Sequence, residues 1–212
     1  VIDREQVGRE ARQFFDALWS AGDPWDIAAT EVTQRTHARL ASLLEGRRYG
    51  RALEIGCGAG IFTRRLAGLA DSVLALDIAP AAIESARKAG LDPAAVEFRV
   101  ANIMQCDVRA EGPWDLVVMT EMVYFLGWLY PFFDVAWLAS ELLAATADGG
   151  RLVLANTQLG MEHPLMLPWI IRTYHDLFRN VGYRVEAEEI LRGAKDGVEL
   201  EILISLFGRP LS

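Results

Sequence analysis

"ALEIGCGAGIF", residues 52–62, passes from an apolar run into three glycines separated by single small residues, and "TRRLAGL" follows. Without a Cβ, Gly56, Gly58 and Gly60 let the backbone turn sharply and lie close against a ligand. "RALEI" reads as a strand and "GIFTRRLAGL" as a helix. A strand, a glycine turn and a helix in that order place a ligand at the carboxyl end of a sheet. The loop alone admits a phosphate, a dinucleotide or a nucleoside without phosphate. No Gly-Lys-Ser or Gly-Lys-Thr follows, and Gly56-Cys57-Gly58-Ala59-Gly60 does not meet GxGxxG. The loop therefore carries no phosphate-binding signal.

Downstream the rhythm repeats. "SVLALD" is a strand, "PAAIESARKAG" a helix with Pro80 suited to its first turn, and "AVEFRV" a third strand. "WDLVVMT" is a fourth strand whose apolar run predicts burial on both faces. "FFDVAWLASELLAATA" is a helix closed by "DGG", and "RLVLAN" is a fifth strand. This alternation predicts an α/β fold with a parallel sheet and helices on both faces. "YRVEAEEIL" and "VELEILISLF", separated by "RGAKDG", read instead as an antiparallel pair at the end of the sheet.

Upstream, Val7, Ala11, Phe14, Phe15 and Leu18 mark one helical face, which ends near "SAGDPW". A second helix is expected from Glu31 to Glu45, with Thr30 available as its cap. The expected organisation is one domain over 1–212, with a helical extension or lid at 1–48 and the catalytic fold at 49–208.

A chain of 212 residues, 52% hydrophobic and 24% charged, has the composition of a soluble globular domain with a sizeable core. A formal charge of -8 argues against a protein held on nucleic acid by broad phosphate contacts. Cys57 and Cys106 stand outside any CxxC pair and read as free thiols, with no metal expected. "VIDREQVGREARQFF" is charged from its start and lacks a signal-peptide core, and no apolar run reaches membrane-spanning length. A cytoplasmic protein with a small-molecule partner, and neither nucleic acid nor membrane, is the expectation.

Asp77 ends the second strand, where a carboxylate could accept hydrogen bonds from both ribose hydroxyls of an adenosine. With that residue in place the chain shows an ordered set. "LEIGCGAG", "LALDIAP", "WDLVVMTEMVYFL" and "ADGGRLVLAN" resemble the successive motifs of class I S-adenosylmethionine-dependent methyltransferases, over roughly residues 50 to 207. Within that superfamily, "DPW" and "EMVYFL" look most like the nodulation-type N-methyltransferases, which act on an amino sugar, a de-N-acetylated chitooligosaccharide.

The resemblance implies a Rossmann-like sheet of seven strands with the last antiparallel, and S-adenosylmethionine as cofactor. Gly56, Gly58 and Gly60 would pack against it, Glu54 would orient its amino end, Asp77 would bind the ribose and Ile78 would pack on adenine. Asn102 stands where many relatives have an aspartate facing the adenine amino group; its amide oxygen can still accept that bond, with the Ile103 backbone donating. Thr120 and the "DPW" tryptophan, Trp25, complete the expected cofactor set.

Methyl transfer asks the protein to align the acceptor and hold it nucleophilic. Groups just beyond the fourth and fifth strands should face the methyl group. Glu121 is the first choice, to hold an amine and receive its proton or to stabilise the nearby sulfonium, with Tyr124 three residues on and His163 in "TQLGMEHPL", read as the loop after the fifth strand. His37 and His175 lie on apparent helices and are given no role. Trp25, Trp128 and Trp169 are expected to rim the same end of the sheet. The acidic pairs Glu188–Glu189 and Glu199–Glu201 read as solvated strand faces. The expected activity is methylation of a small molecule, an amino sugar or related amine, with O-methylation of a sugar or natural product as the rival. A nicotinamide-dependent oxidoreductase and a catalytically silent cofactor-binding module are the readings from other classes.

Overall fold

β1 (Tyr49–Ile55) and β4 (Trp114–Thr120) pair in parallel at the centre of the sheet, as their apolar runs require. In this computed structural model, which describes residues 3–160 and 166–211, five further strands flank them. They are β2 (Ala70–Asp77), β3 (Val96–Val100), β5 (Thr146–Leu159), β6 (Arg184–Lys195) and β7 (Val198–Gly208). The strand order is β3-β2-β1-β4-β5-β7-β6, with β7 antiparallel to both its neighbours. The expected seven-stranded sheet with an antiparallel last strand is therefore present.

The terminal hairpin is tighter than "RGAKDG" implies. Its loop is Asp196-Gly197 alone, with φ of 52° and 80°, the positive values that a two-residue hairpin turn needs.

The helices are α1 (Arg4–Ser20), α2 (Glu31–Leu44), α3 (Thr63–Leu69), α4 (Pro80–Arg87), α5 (Val108–Glu111), α6 (Val123–Leu129), α7 (Phe132–Ala145) and α8 (Pro168–Val181). Alternate strand residues feed two apolar layers, as the two-residue period dictates. Ala52, Leu116 and Val153 join Leu40, Leu66 and Ile83 on one face. Leu53, Val117 and Leu152 join Leu138, Leu142 and Phe178 on the other. Among the described residues no helix is long and apolar enough to cross a membrane.

Three local expectations change. α3 begins at Thr63 rather than at the glycines, because Gly60 has φ +75°, which no helix accommodates. Thr30 holds the N-cap position of α2 but makes no side-chain capping bond, because its hydroxyl donates to the Asp26 carbonyl at 2.8 Å. β5 runs beyond "RLVLAN" through Leu159, because residues 157–159 keep pairing with β7. That extension carries Thr157 to the end of β4.

The two N-terminal helices settle on different sides. α1 packs on α4, while α2 packs on α3, β6 and β7.

Candidate active site

A cavity of about 600 Å³ opens where β1, β2, β4 and β5 end, bordered by both N-terminal helical segments. Gly56 (φ +78°) and Gly58 (φ +52°) turn the backbone at its floor. A Cβ on Gly58 would stand 2.9 Å from the Trp19 ring, and one on Gly56 would run into the Met122 thioether. Both glycines are thus required by close approach as well as by backbone angle. Gly60 does not border the cavity. A Cβ there would meet Phe98 and Ala86, so this glycine serves the packing of the turn on the sheet.

Asp77 is half-buried at the cavity edge. One carboxylate oxygen accepts from the Gly58 amide and the other from the Ala79 amide, each at 2.9 Å. Burial raises its pKa, and the amides of Ala79, Gly58 and Ile78 oppose that shift. Each oxygen keeps a further lone pair for a ligand hydroxyl. Glu54 is buried beneath the loop and accepts from the Thr63 hydroxyl at 2.5 Å. Burial, assisted by the charge of Asp77, lifts its pKa to about 8.

Asn102 also borders the cavity, beside Ile78 and Ile103. Its oxygen accepts from the Met104 amide at 3.1 Å, and its nitrogen donates to the Tyr130 hydroxyl at 2.8 Å. The first bond orients the amide and caps a short helical turn at Ile103–Gln105.

Across the cavity, Glu121 follows β4 with φ 53°, a left-handed conformation uncommon for a residue with a side chain. Its carboxylate accepts from the Thr157 amide at 3.0 and 3.1 Å, the Thr157 hydroxyl at 3.0 Å and the Tyr124 hydroxyl at 2.8 Å. No cation is paired with it among the described residues. Burial raises its pKa, while those donors oppose the shift. The arrangement is neither a helix cap nor a surface salt bridge: the carboxylate is held in place at the cavity wall. Tyr124 is buried and also borders the cavity, so it packs in the core and bonds Glu121 at once.

Trp25, from "DPW", borders the cavity with its ring edge-on to Trp19 at 5.7 Å and 6.0 Å from Phe125. The Lys195 ammonium, at the hairpin tip, donates to the Trp25 carbonyl at 2.7 Å. Thr120 lies in the same wall.

Of the expected site residues, the cavity brings together Trp25, Glu54, Gly56, Gly58, Asp77, Ile78, Asn102, Ile103, Thr120, Glu121 and Tyr124. Gly60 is excluded by its packing. His163 lies outside the described residues. Trp128 and Trp169 do not join Trp25; they are 51% and 68% exposed, on α6 and α8. Glu188, Glu189 and Glu201 are not simply solvated, since they pair with Arg172, Arg39 and Arg192.

Sequence reading missed Thr157, which had been placed in a loop, and His37, which borders the cavity with its ring 5.1 Å from Phe62. The signal for His37 was its position on the buried face of α2 with Val32, Thr36 and Leu40. Burial and the nearby Arg65 lower its pKa to about 4. Among the described residues, no group of three or more His, Cys, Asp or Glu is placed to hold a metal ion.

The family model for Nodulation protein S (NodS) matches residues 8–130. Nodulation protein S of Rhizobium tropici is 32% identical over 148 residues, covering 69% of this chain and 60% of that protein. That of Sinorhizobium fredii is 32% identical over 141 residues, covering 65% and 62%. The chain thus spans about 60% of the length of these curated relatives. In fold it is similar to the crystal structure of the N-methyltransferase NodS from Bradyrhizobium japonicum WM9 in complex with S-adenosyl-L-homocysteine. The TM-score is 0.76 at 21% identity, covering 94% of this chain and 98% of that one. The matched 8–130 segment takes in most of α1, all of α2, the glycine loop, Asp77, Asn102 and the Glu121–Tyr124 pair. On that match this chain belongs to the Nodulation protein S family.

Proposed function

We propose that this protein is an S-adenosylmethionine-dependent methyltransferase acting on a small molecule, with an amine as the methyl acceptor. The observation that carries the reading is one cavity with two differently built carboxylates. Asp77 stands at the end of β2 beside the glycine loop, and Glu121 stands at the end of β4, held by Thr157 and Tyr124. Family membership and the fold shared with an N-methyltransferase support it.

The residues fit the cofactor. Asp77 has lone pairs for two ribose hydroxyls, Ile78 and Ile103 offer apolar flanks for a purine, and Trp19 and Trp25 cover that side. Asn102 keeps a lone pair for the adenine amino group, and Glu54 lies under the loop for the amino end. When bound, S-adenosylmethionine supplies a methyl group already activated on a sulfonium. The chain's own part is alignment and control of the acceptor's proton. Glu121, without a cationic partner, attracts an amine and takes the proton the amine must shed, while Tyr124 and Thr157 keep the carboxylate aimed. The "DPW" segment, tied down by Lys195, closes over the cofactor.

Calorimetry tests the cofactor. S-adenosylhomocysteine should bind with micromolar or better affinity and NAD should not. Binding of NAD alone would replace this reading with an oxidoreductase. Turnover on an amine panel, with none on matched alcohols, tests the acceptor.

A further inference from the structure

A short line of hydrogen bonds beside Ile78 and Ile103 leaves one proton without a taker. The Met104 amide donates to the Asn102 oxygen at 3.1 Å, which fixes the other end of that side chain as the nitrogen. A turned amide would set its NH2 against the Met104 N–H, donor against donor. α1 lies directly on this group, since a Cβ on Gly8 would stand 2.8 Å from the Asn102 nitrogen. That nitrogen donates to the Tyr130 hydroxyl at 2.8 Å. An amide nitrogen does not accept, so the Tyr130 oxygen is the acceptor and its own proton points elsewhere.

Tyr130 is itself held in place. It follows α6, its amide donates to the Leu126 carbonyl at 2.9 Å, and its ring joins the apolar cluster of Ile103, Leu126 and Leu138. Only 4% of the residue is exposed, and it borders the cavity together with Asn102. Among the described residues no group accepts the hydroxyl proton. A buried O–H without an acceptor is costly, so its partner should come from the ligand. Adenine offers the matching edge. Its amino group is flanked by two ring nitrogens, N1 and N7, and both accept. The wall presents an acceptor, the Asn102 oxygen, and beside it a donor, the Tyr130 hydroxyl. Adenine presents the reverse, a donor beside an acceptor, and the Ile103 backbone is expected at one of the two ring nitrogens.

We propose that Tyr130 is a further cofactor-binding residue, donating its hydroxyl proton to whichever of adenine N1 and N7 the Ile103 amide does not serve. This rests on the cofactor reading above. The amide at position 102 decides it. A carboxylate there would accept from Tyr130 and turn the proton away from the purine, whereas the Asn102 nitrogen donates and leaves that proton free.

The test is calorimetry on the full chain with S-adenosylhomocysteine and its 1-deaza and 7-deaza analogues, each of which replaces one ring nitrogen by C–H. The parent should bind each analogue about three- to tenfold more weakly than S-adenosylhomocysteine, the effect of one neutral hydrogen bond. Tyr130→Phe, with a melting curve confirming that it folds, should erase that penalty for one analogue and keep it for the other. Asn102→Asp, which retains the tyrosine, should erase the same one. A hydroxyl that only orients Asn102 would weaken all three ligands alike in Tyr130→Phe and leave both ratios standing, and that result overturns the proposal. So does a parent that binds either analogue as tightly as S-adenosylhomocysteine, or an Asn102→Asp protein with both ratios intact. If S-adenosylhomocysteine itself fails to bind the parent, the cofactor reading falls and takes this proposal with it. If it binds and the ratios do not move, this proposal alone falls.

Discussion

Asn156 stands between the buried His175 and the backbone that follows Glu121. Its oxygen accepts from the Met122 and Val123 amides at 3.1 and 3.3 Å, and its nitrogen lies 3.0 Å from His175 Nε2. An amide nitrogen only donates, so Nε2 accepts and the proton of the neutral ring sits on Nδ1. Nδ1 then donates to the Ser205 hydroxyl at 2.8 Å, and Ser205 donates to Glu188, which Arg172 pairs. Every link has one direction, and the line ends one residue from the group assigned to the acceptor. Asn156, braced by His175, holds the backbone that follows Glu121. Asn156→Leu orphans the buried Val123 amide, the partly buried Met122 amide and a buried imidazole nitrogen, and should cost about 2–4 kcal/mol in urea denaturation. A loss under half a kcal/mol would mean that the line is incidental.

Asp77 braces the glycine loop through the Gly58 and Ala79 amides, and the proposed ribose contact uses its remaining lone pairs. Asp77→Ala should weaken S-adenosylmethionine by about 1.5–3 kcal/mol, the scale of a hydrogen bond to a charged group. Parent-like affinity in calorimetry would remove the ribose assignment.

Glu121→Gln keeps an oxygen for the Thr157 amide and removes the charge. Cofactor affinity should hold while single-turnover rate drops about 10²–10⁴-fold, the range for a lost general base. An unchanged rate would shift attention to His163.

The lid reading can be tested by hydrogen exchange. Trp25 is held by Trp19, Phe125 and the Lys195 bond, so protection across residues 20–30 should rise when S-adenosylhomocysteine binds. A rise confined to residues 54–60 would make the segment a linker.

Stability should decline between pH 6.5 and 8. Folded His37 and His175 have pKa values lowered to about 4 and about 3 by burial, while the unfolded histidines protonate at 6.5. At these two sites the unfolded chain binds more protons below 6.5, so their contribution to stability climbs with pH up to that point and is constant above it. Glu54 works in the opposite sense. Its pKa moves from 4.5 to about 8, so the folded chain holds a proton that the unfolded chain has released, and stability falls as pH rises across that window. Asp77 and Glu121 are raised by burial and add in the direction of Glu54. Between pH 6.5 and 8 the histidines are silent, and the Glu54 effect alone amounts to about 2 kcal/mol. Urea midpoints at the two values should show the decline, and Glu54→Gln should abolish most of it. An unaltered decline in that variant would place its origin elsewhere.

What the linear chain determined by itself was periodic and local. Apolar runs at strand length, helical spacing between them, the glycine loop and an acid at the end of the second strand are all properties of neighbours in sequence. They were enough for the sheet, its antiparallel end and the positions of Asp77 and Glu121. Distance in space was another matter. Thr157 reaches Glu121 because β5 keeps pairing with β7 past the expected strand end, and Gly60 leaves the site because Phe98 and Ala86 occupy its far side. His37 read as an ordinary helical residue until α2 packed against α3, β6 and β7 and turned its buried face to the cavity. Trp128 and Trp169 went the other way, onto exposed faces of α6 and α8. Period and propensity set which faces are apolar, but which faces meet depends on long-range packing between elements far apart in the chain, and only the folded structure decides that.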